Sequence, residues 1–223
     1  MAKVLIPNKE ILSVFLHWIR KDLSERLTPE LLDSSAILFR NLTRGSMAAF
    51  AQDLRKLLFL SIPSQHFGNK EEVYQVYLKA YLDAAAAAEP IYPEWKSGME
   101  YAAGAGRLDL IFRREDTAVI IELKQAKHEK KGGYGESERQ ILRRLTRSAM
   151  DRCASRHYSA ILPKHVTKLR MYGIGFLGPY CAVDGQLLER SVGGQWEAKV
   201  LYSAEDDDQG CAKIYTTLES GNL

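Results

Sequence analysis

RLDLIF (residues 107–112), followed five residues later by AVIIEL (residues 118–123), reads as two strands of one sheet. Both stretches are rich in β-branched or other apolar residues, and the RREDT segment between them has the polarity of a turn. Val119, Ile120 and Ile121 are apolar without alternation, as expected of a strand covered on both faces. One acid interrupts each strand: Asp109 in the middle of the first, Glu122 towards the end of the second. A carboxylate at either place is costly in a buried sheet unless something compensates for it. The period of two puts Lys124 on the same face as Glu122, with Leu123 opposite. A hard divalent cation such as Mg²⁺ would offset both acids, because it takes carboxylate oxygens and keeps several waters. A lysine beside them could orient or help deprotonate a water and offset phosphate charge. Taken alone, a D…ExK pattern is also met by a buried ion pair at strand ends.

Upstream of this pair the pattern is helical. Ile11, Leu12, Phe15, Leu16, Ile19 and Leu23 recur at helical spacing, with Asn8 as a cap after Pro7. A second helix is predicted from Thr28 to Phe39, with Pro29 in its first turn, and a third from just after Ser46 to about Leu58. These helices carry no catalytic constellation and are read as an N-terminal helical subdomain, residues 1–64, with an α/β domain over 65–223. Another helix is predicted from Lys70 to Ala87, with Glu71 in its first turn, where a carboxylate favours the helix dipole in any case. Trp95 to Tyr101 is expected to be the strand before GRLDLIF, joined to it by a flexible turn over Ala103 to Gly106.

Downstream, a basic, glycine-containing loop (Lys127 to Gly135) leads into a long helix from about Ser137 to Tyr158. Strands are expected over Met171 to Leu177 and Tyr180 to Val183, then a terminal hairpin over Leu187 to Tyr202 and an acidic segment at Glu205 to Asp208. On the long helix Arg139, Arg143 and Arg147 lie four apart, with Arg152 and Arg156 read as continuing nearby.

The 223-residue chain is 46% apolar and 26% charged, and has no uninterrupted apolar run of membrane-spanning length. Neither a signal peptide nor a CxxC pair is seen. Three widely spaced cysteines (Cys153, Cys181, Cys211) argue against a disulfide framework or a zinc site, and the five histidines lack metal-ligand spacing. A cytoplasmic location is therefore expected. Net charge is only +3, but Lys124 to Arg170 holds 13 Lys and Arg against four acids. That asymmetry fits contact with a polyanion, although a solvated basic face produces it too.

GRLDLIF…AVIIELK, preceded by a helix bearing Glu71-Glu72-Val73-Tyr74, resembles the PD-(D/E)XK nuclease superfamily. The branch it is most similar to is found at the C-terminus of bacterial AAA-ATPase-like proteins. The opening Leu5-Ile6-Pro7-Asn8 resembles the IPN segment that begins the helical region there, so the likeness runs from about Leu5 to Leu177. It implies a restriction-endonuclease-like fold: a mixed β-sheet core flanked by helices, with the helical subdomain in front. It also implies Mg²⁺- or Mn²⁺-dependent hydrolysis of phosphodiester bonds, in DNA before RNA. Asp109, Glu122 and the Leu123 carbonyl would be metal ligands, with Glu71 completing or extending the set. Lys124 would act on the attacking water. Arg107 would bind phosphate or brace its turn, unless it pairs with Glu100. Lys127, Lys130, Lys131, Arg139, Arg143, Arg147, Arg152 and Arg156 would meet the phosphate backbone. The family's glutamine and tyrosine, six residues apart on the next helix, align with Arg152 and Tyr158, so arginine replaces glutamine. The loop before Ser137 is longer than usual, and no GxxxxGK[ST] loop is present. A homodimer, an ATPase-bearing partner or a further domain would fit, as would a module that keeps the fold and has lost turnover.

Overall fold

The computed structural model describes residues 29–61, 71–88, 95–103, 106–126, 137–178 and 180–203. Three helices come first: α1 (Pro29–Thr43), α2 (Met47–Ser61) and α3 (Glu71–Ala88). Strands β1 (Lys96–Ala103), β2 (Gly106–Arg114) and β3 (Thr117–Ala126) follow, then α4 (Glu138–Ser155) and a 3₁₀ turn at Tyr158–Ile161. The described chain closes with β4 (Lys168–Leu177), β5 (Tyr180–Arg190) and β6 (Trp196–Tyr202). The expected helix over Ile11 to Leu23, the basic loop and the acidic segment lie outside the described residues.

The six strands form one sheet in chain order, β1 to β6. All neighbours are antiparallel except β3 and β4, which run parallel with Glu122 opposite Gly173 and Lys124 opposite Gly175. The parallel pair needs a crossover, and α4 supplies it. The architecture is thus α/β: a mixed sheet flanked by four helices among the described residues.

Odd and even positions of β3 serve different layers. Val119, Ile121 and Leu123 join Tyr172, Ile174 and Phe176 in a core shared with Leu38, Phe50, Leu54, Tyr74 and Leu78 of the first three helices. Ala118 and Ile120 face the other way, with Cys153, Tyr158 and Leu162. Coverage on both faces is why this strand carries no polar alternation until Glu122. Helices α1 and α2, which belong to the stretch read above as the N-terminal helical subdomain, contribute to the same apolar cluster as the sheet. No helix among the described residues is long and apolar enough to cross a membrane.

Several element boundaries depart from expectation, and three of the departures shape the sheet and its site. The long helix stops at Ser155, not Tyr158, because His157 adopts a left-handed φ of 51° and Tyr158 begins the 3₁₀ turn. Tyr180–Arg190 is one continuous strand, so the terminal hairpin is β5–β6, turning at residues 191–195 rather than starting at Leu187. Strand β1 extends to Ala103 and β2 starts at Gly106, which shortens the expected turn.

Candidate functional site

Strands β2 and β3 pair from Arg114 with Thr117 up to Leu110 with Ile121, and the ladder stops there. Asp109 and Glu122 are the next residue on each strand, so the two acids sit where the strands part. Beyond the ladder the Leu123 N–H has no β2 carbonyl opposite it, and Asp109 Oδ2 accepts it instead at 2.7 Å. The Asp109 carbonyl accepts from Gln75 Nε2 at 3.0 Å, which ties β2 to α3. Both ends of Asp109 are thereby oriented.

Glu122 is fully buried, and neither carboxylate oxygen has a hydrogen-bond partner. Burial, helped by the Asp109 charge, raises its pKa from 4.5 to about 7, while Arg152 and Lys124 pull the other way. Arg152 Nε lies 2.6 Å from Glu122 Oε1, yet the approach is not along the N–H, so it is an ion pair rather than a directed hydrogen bond. Burial acts to lower the Arg152 pKa, but the nearby acids, Glu122 foremost, outweigh it and the net shift is upward.

Lys124 reaches three of the other candidates. Its Nζ donates to the Leu123 carbonyl at 2.7 Å and stands 3.7 Å from Glu122 Oε1 and 3.8 Å from Glu71 Oε2. Glu71 opens α3, whose orientation is fixed one turn on: Tyr74 stacks on Phe176 and donates its hydroxyl to the Gly178 carbonyl at 2.8 Å. Glu71, Asp109, Glu122, Leu123 and Lys124 are therefore gathered in one place, from one helix and two strands.

Arg107 enters through its backbone. Its carbonyl accepts from Tyr158 Oη at 2.7 Å and from an Arg152 terminal nitrogen at 3.3 Å, while its own side chain is exposed. The Glu100 side chain, its alternative partner, lies outside those described. Arg152 and Tyr158, six residues apart, thus meet at the start of β2. Burial raises the Tyr158 hydroxyl to about 12, so it stays a donor.

Helix α4 lies so close to β4 that only glycine fits beneath it. A Cβ on Gly173 would stand 2.7 Å from the Thr146 carbonyl, and one on Gly175 would stand 2.7 Å from Leu145 Cβ. Thr146 Oγ1 also donates to Asp184 Oδ2 at 2.7 Å in the buried layer. This seat sets where Arg152 can reach. A helix advances about 100° per residue, so Arg152 is about 140° around the axis from Arg147. Arg139, Arg143 and Arg147 therefore share one flank, and Arg152 turns towards the carboxylates on another, rather than continuing their row. Arg139 and Arg147 are exposed, whereas Arg143 and Arg156 are half-buried. Lys127, Lys130 and Lys131 lie outside the described residues. Gln140 serves the capping box of α4 with Ser137.

Among the described residues no group of three or more His, Cys, Asp or Glu side chains is placed to hold a metal ion. The donor set implied above rests instead on two carboxylates and a carbonyl. Cys153 is buried and packs against the sheet, with its thiol pKa raised mainly by burial. A concavity of about 420 Å³ lined by Thr43, Arg44, Trp95 and Arg170 includes the Arg114–Thr117 turn, the far end of β2 and β3 from the acids. Gln75 and Thr146 went unnoticed in the sequence; a polar residue on the apolar side of its helix was the available signal for each. Compared with models of known families, with curated proteins and with solved structures, the chain matches none.

Proposed function

We propose that this chain is a metal-dependent nuclease of the PD-(D/E)XK type, with a restriction-endonuclease-like fold, acting on DNA before RNA. One observation carries the reading: Glu122 is wholly buried with neither oxygen hydrogen-bonded, Oε1 meeting among the described residues only the Arg152 and Lys124 charges, next to Asp109 and on the same strand face as Lys124. A buried carboxylate without directed hydrogen bonds is expensive, and a hard cation is a partner whose chemistry matches it. Asp109, Glu122 and the Leu123 carbonyl would hold Mg²⁺ or Mn²⁺, with Glu71 alongside; bound there, the ion would acidify a water and polarise a phosphodiester. Lys124 contributes a positive charge beside the acids, positioned by its bond to the Leu123 carbonyl. Tyr158 and Arg152 hold the Arg107 carbonyl, keeping the strand that bears Asp109 in place. A cytoplasmic location goes with this reading.

The test is nicking of supercoiled plasmid in Mg²⁺, Mn²⁺ or EDTA. Nicking is expected with metal, and Asp109→Ala and Lys124→Ala are each expected to abolish it. Intact DNA and RNA with both metals would sink the enzyme reading.

A second reading is supported by the 2.6 Å approach of Arg152 to Glu122. The guanidinium would then stand where a cation is needed, giving a nucleic-acid-binding module without turnover. That reading predicts salt-sensitive DNA binding unaffected by Asp109→Ala. Under it, the parent chain shows no Mg²⁺ binding by calorimetry and Arg152→Gln gains it; under the nuclease reading the parent chain already binds Mg²⁺.

A further inference from the structure

Helix α3 buries Tyr74, Leu78, Ala80, Tyr81, Leu82 and Ala85, yet one line along it is polar throughout: Glu71, Gln75, Lys79 and Asp83. Residues four apart share a helix face. This face does not look out to water, since Gln75 is 4% exposed and Lys79 7%. It meets three strands in turn. Glu71 Oε2 stands 3.8 Å from Lys124 Nζ of β3, and Gln75 Nε2 donates to the Asp109 carbonyl of β2 at 3.0 Å. Lys79 Nζ donates to Ser97 Oγ of β1 at 2.9 Å and to Asp83 Oδ2 at 2.6 Å.

The three contacts hold different things. Ser97 lies opposite Phe112, inside the β1–β2 ladder, where backbone pairing already fixes both strands. Asp109 lies past the last β2–β3 pair, so that ladder no longer sets its distance from Glu122. A buried carbonyl stays with its donor because no water replaces a lost bond. At Asp109 that donor comes from α3, and one turn earlier the same helix face presents Glu71. A single hydrogen bond therefore ties the strand bearing one acid to the helix bearing another.

We propose that Gln75 is a positioning residue of the carboxylate site: by holding the Asp109 main chain it aligns Asp109 with Glu122 and Glu71, and so sets the affinity for a divalent cation. The proposal rests on the metal-site reading given above. It is tested by calorimetry of Mg²⁺ binding to the full chain. Gln75→Met keeps the length of the side chain and removes its donor. Partners that orient a metal ligand are worth about 10–100-fold in metal affinity, and a loss in that range is expected. Lys79→Met removes a buried polar contact from the same face of the same helix, but one that holds no candidate ligand. It should lower the unfolding midpoint in denaturant and leave Mg²⁺ affinity near that of the parent. Should either methionine variant fail to fold, judged by circular dichroism, Gln75→Asn and Ser97→Ala take their places. The asparagine is one methylene too short for the Asp109 carbonyl and must weaken Mg²⁺ binding; the alanine removes the Lys79 acceptor and must not. Gln75 variants that bind Mg²⁺ as the parent does overturn this proposal alone. So does an equal loss in the Lys79 or Ser97 variant, which would make the effect one of helix packing. A parent chain that binds neither Mg²⁺ nor Mn²⁺ overturns the metal-site reading, and this proposal with it.

Discussion

Glu122 is the residue on which most of the local energetics turn. Its pKa is raised from 4.5 in the unfolded chain to about 7 in the folded one, chiefly by burial. The folded state therefore binds this proton more tightly than the unfolded state does. Below about pH 4.5 both states are protonated and ionisation of this group contributes nothing to the stability difference. Stability then falls as pH rises from 4.5 to 7, and the full cost, about 3 kcal/mol, is present above pH 7. Glu122→Gln, which cannot ionise, is expected to raise the Tm at pH 8 and leave it nearly unchanged at pH 4.5, measured without divalent metal by calorimetry. Equal effects at both pH values would show that the carboxylate is not held in this environment. Added Mg²⁺ should stabilise the parent and not this variant, because a cation that binds only the folded state shifts the equilibrium towards it. At this scale the two acids and the lysine were legible in the sequence, since strand periodicity alone puts Glu122 and Lys124 on one face. Arg152's approach to Glu122 was not, because it depends on how far helix α4 is rotated against the sheet.

At the scale of elements, the contact between α4 and β4 governs the site. Gly173 lies opposite Glu122 in the sheet and directly under the Thr146 carbonyl. A methyl group there meets backbone, which cannot turn aside as a flexible side chain would. Gly173→Ala is expected to destabilise the fold by about 1–3 kcal/mol, read as a lower midpoint in denaturant. Its shift of α4 should also alter the Arg152–Glu122 pair. Gly185→Ala makes a fair comparison: its nearest neighbour is the Met47 Sδ at 2.9 Å, a side chain able to move, so a smaller loss is expected there. The existence of both elements follows from local pattern: an apolar helical stripe for α4, an apolar run for β4. Their boundaries followed less well. The helix was expected to reach Tyr158, but His157 turns left-handed and frees Tyr158 to meet the Arg107 carbonyl, a contact 51 residues away in the chain. Helical periodicity continues past that point, so nothing local marks the stop.

For the molecule as a whole, charge and topology set the expectations. The exposed flank of α4 bearing Arg139 and Arg147, with Arg143 beside them, is a footprint for a phosphate backbone under the proposed function. Replacing all three with alanine is expected to reduce the slope of log affinity against log salt by about 2–3, measured by fluorescence anisotropy on duplex DNA. An unchanged slope would mark the row as a solvated face. What the sequence by itself determined was short-range: the β2–β3 pair, the helix after it, the face shared by Glu122 and Lys124, and the presence of Asp109 on the neighbouring strand. Those follow from side-chain periods of two and 3.6, which any segment carries within itself. Only the tertiary structure decided that Gln75 anchors the Asp109 carbonyl from 34 residues away, that two glycines let α4 sit against β4, and that an arginine approaches the buried glutamate. Such contacts arise from packing whole elements against one another, where a fraction of an ångström in helix placement selects the partners, and no local pattern encodes that distance.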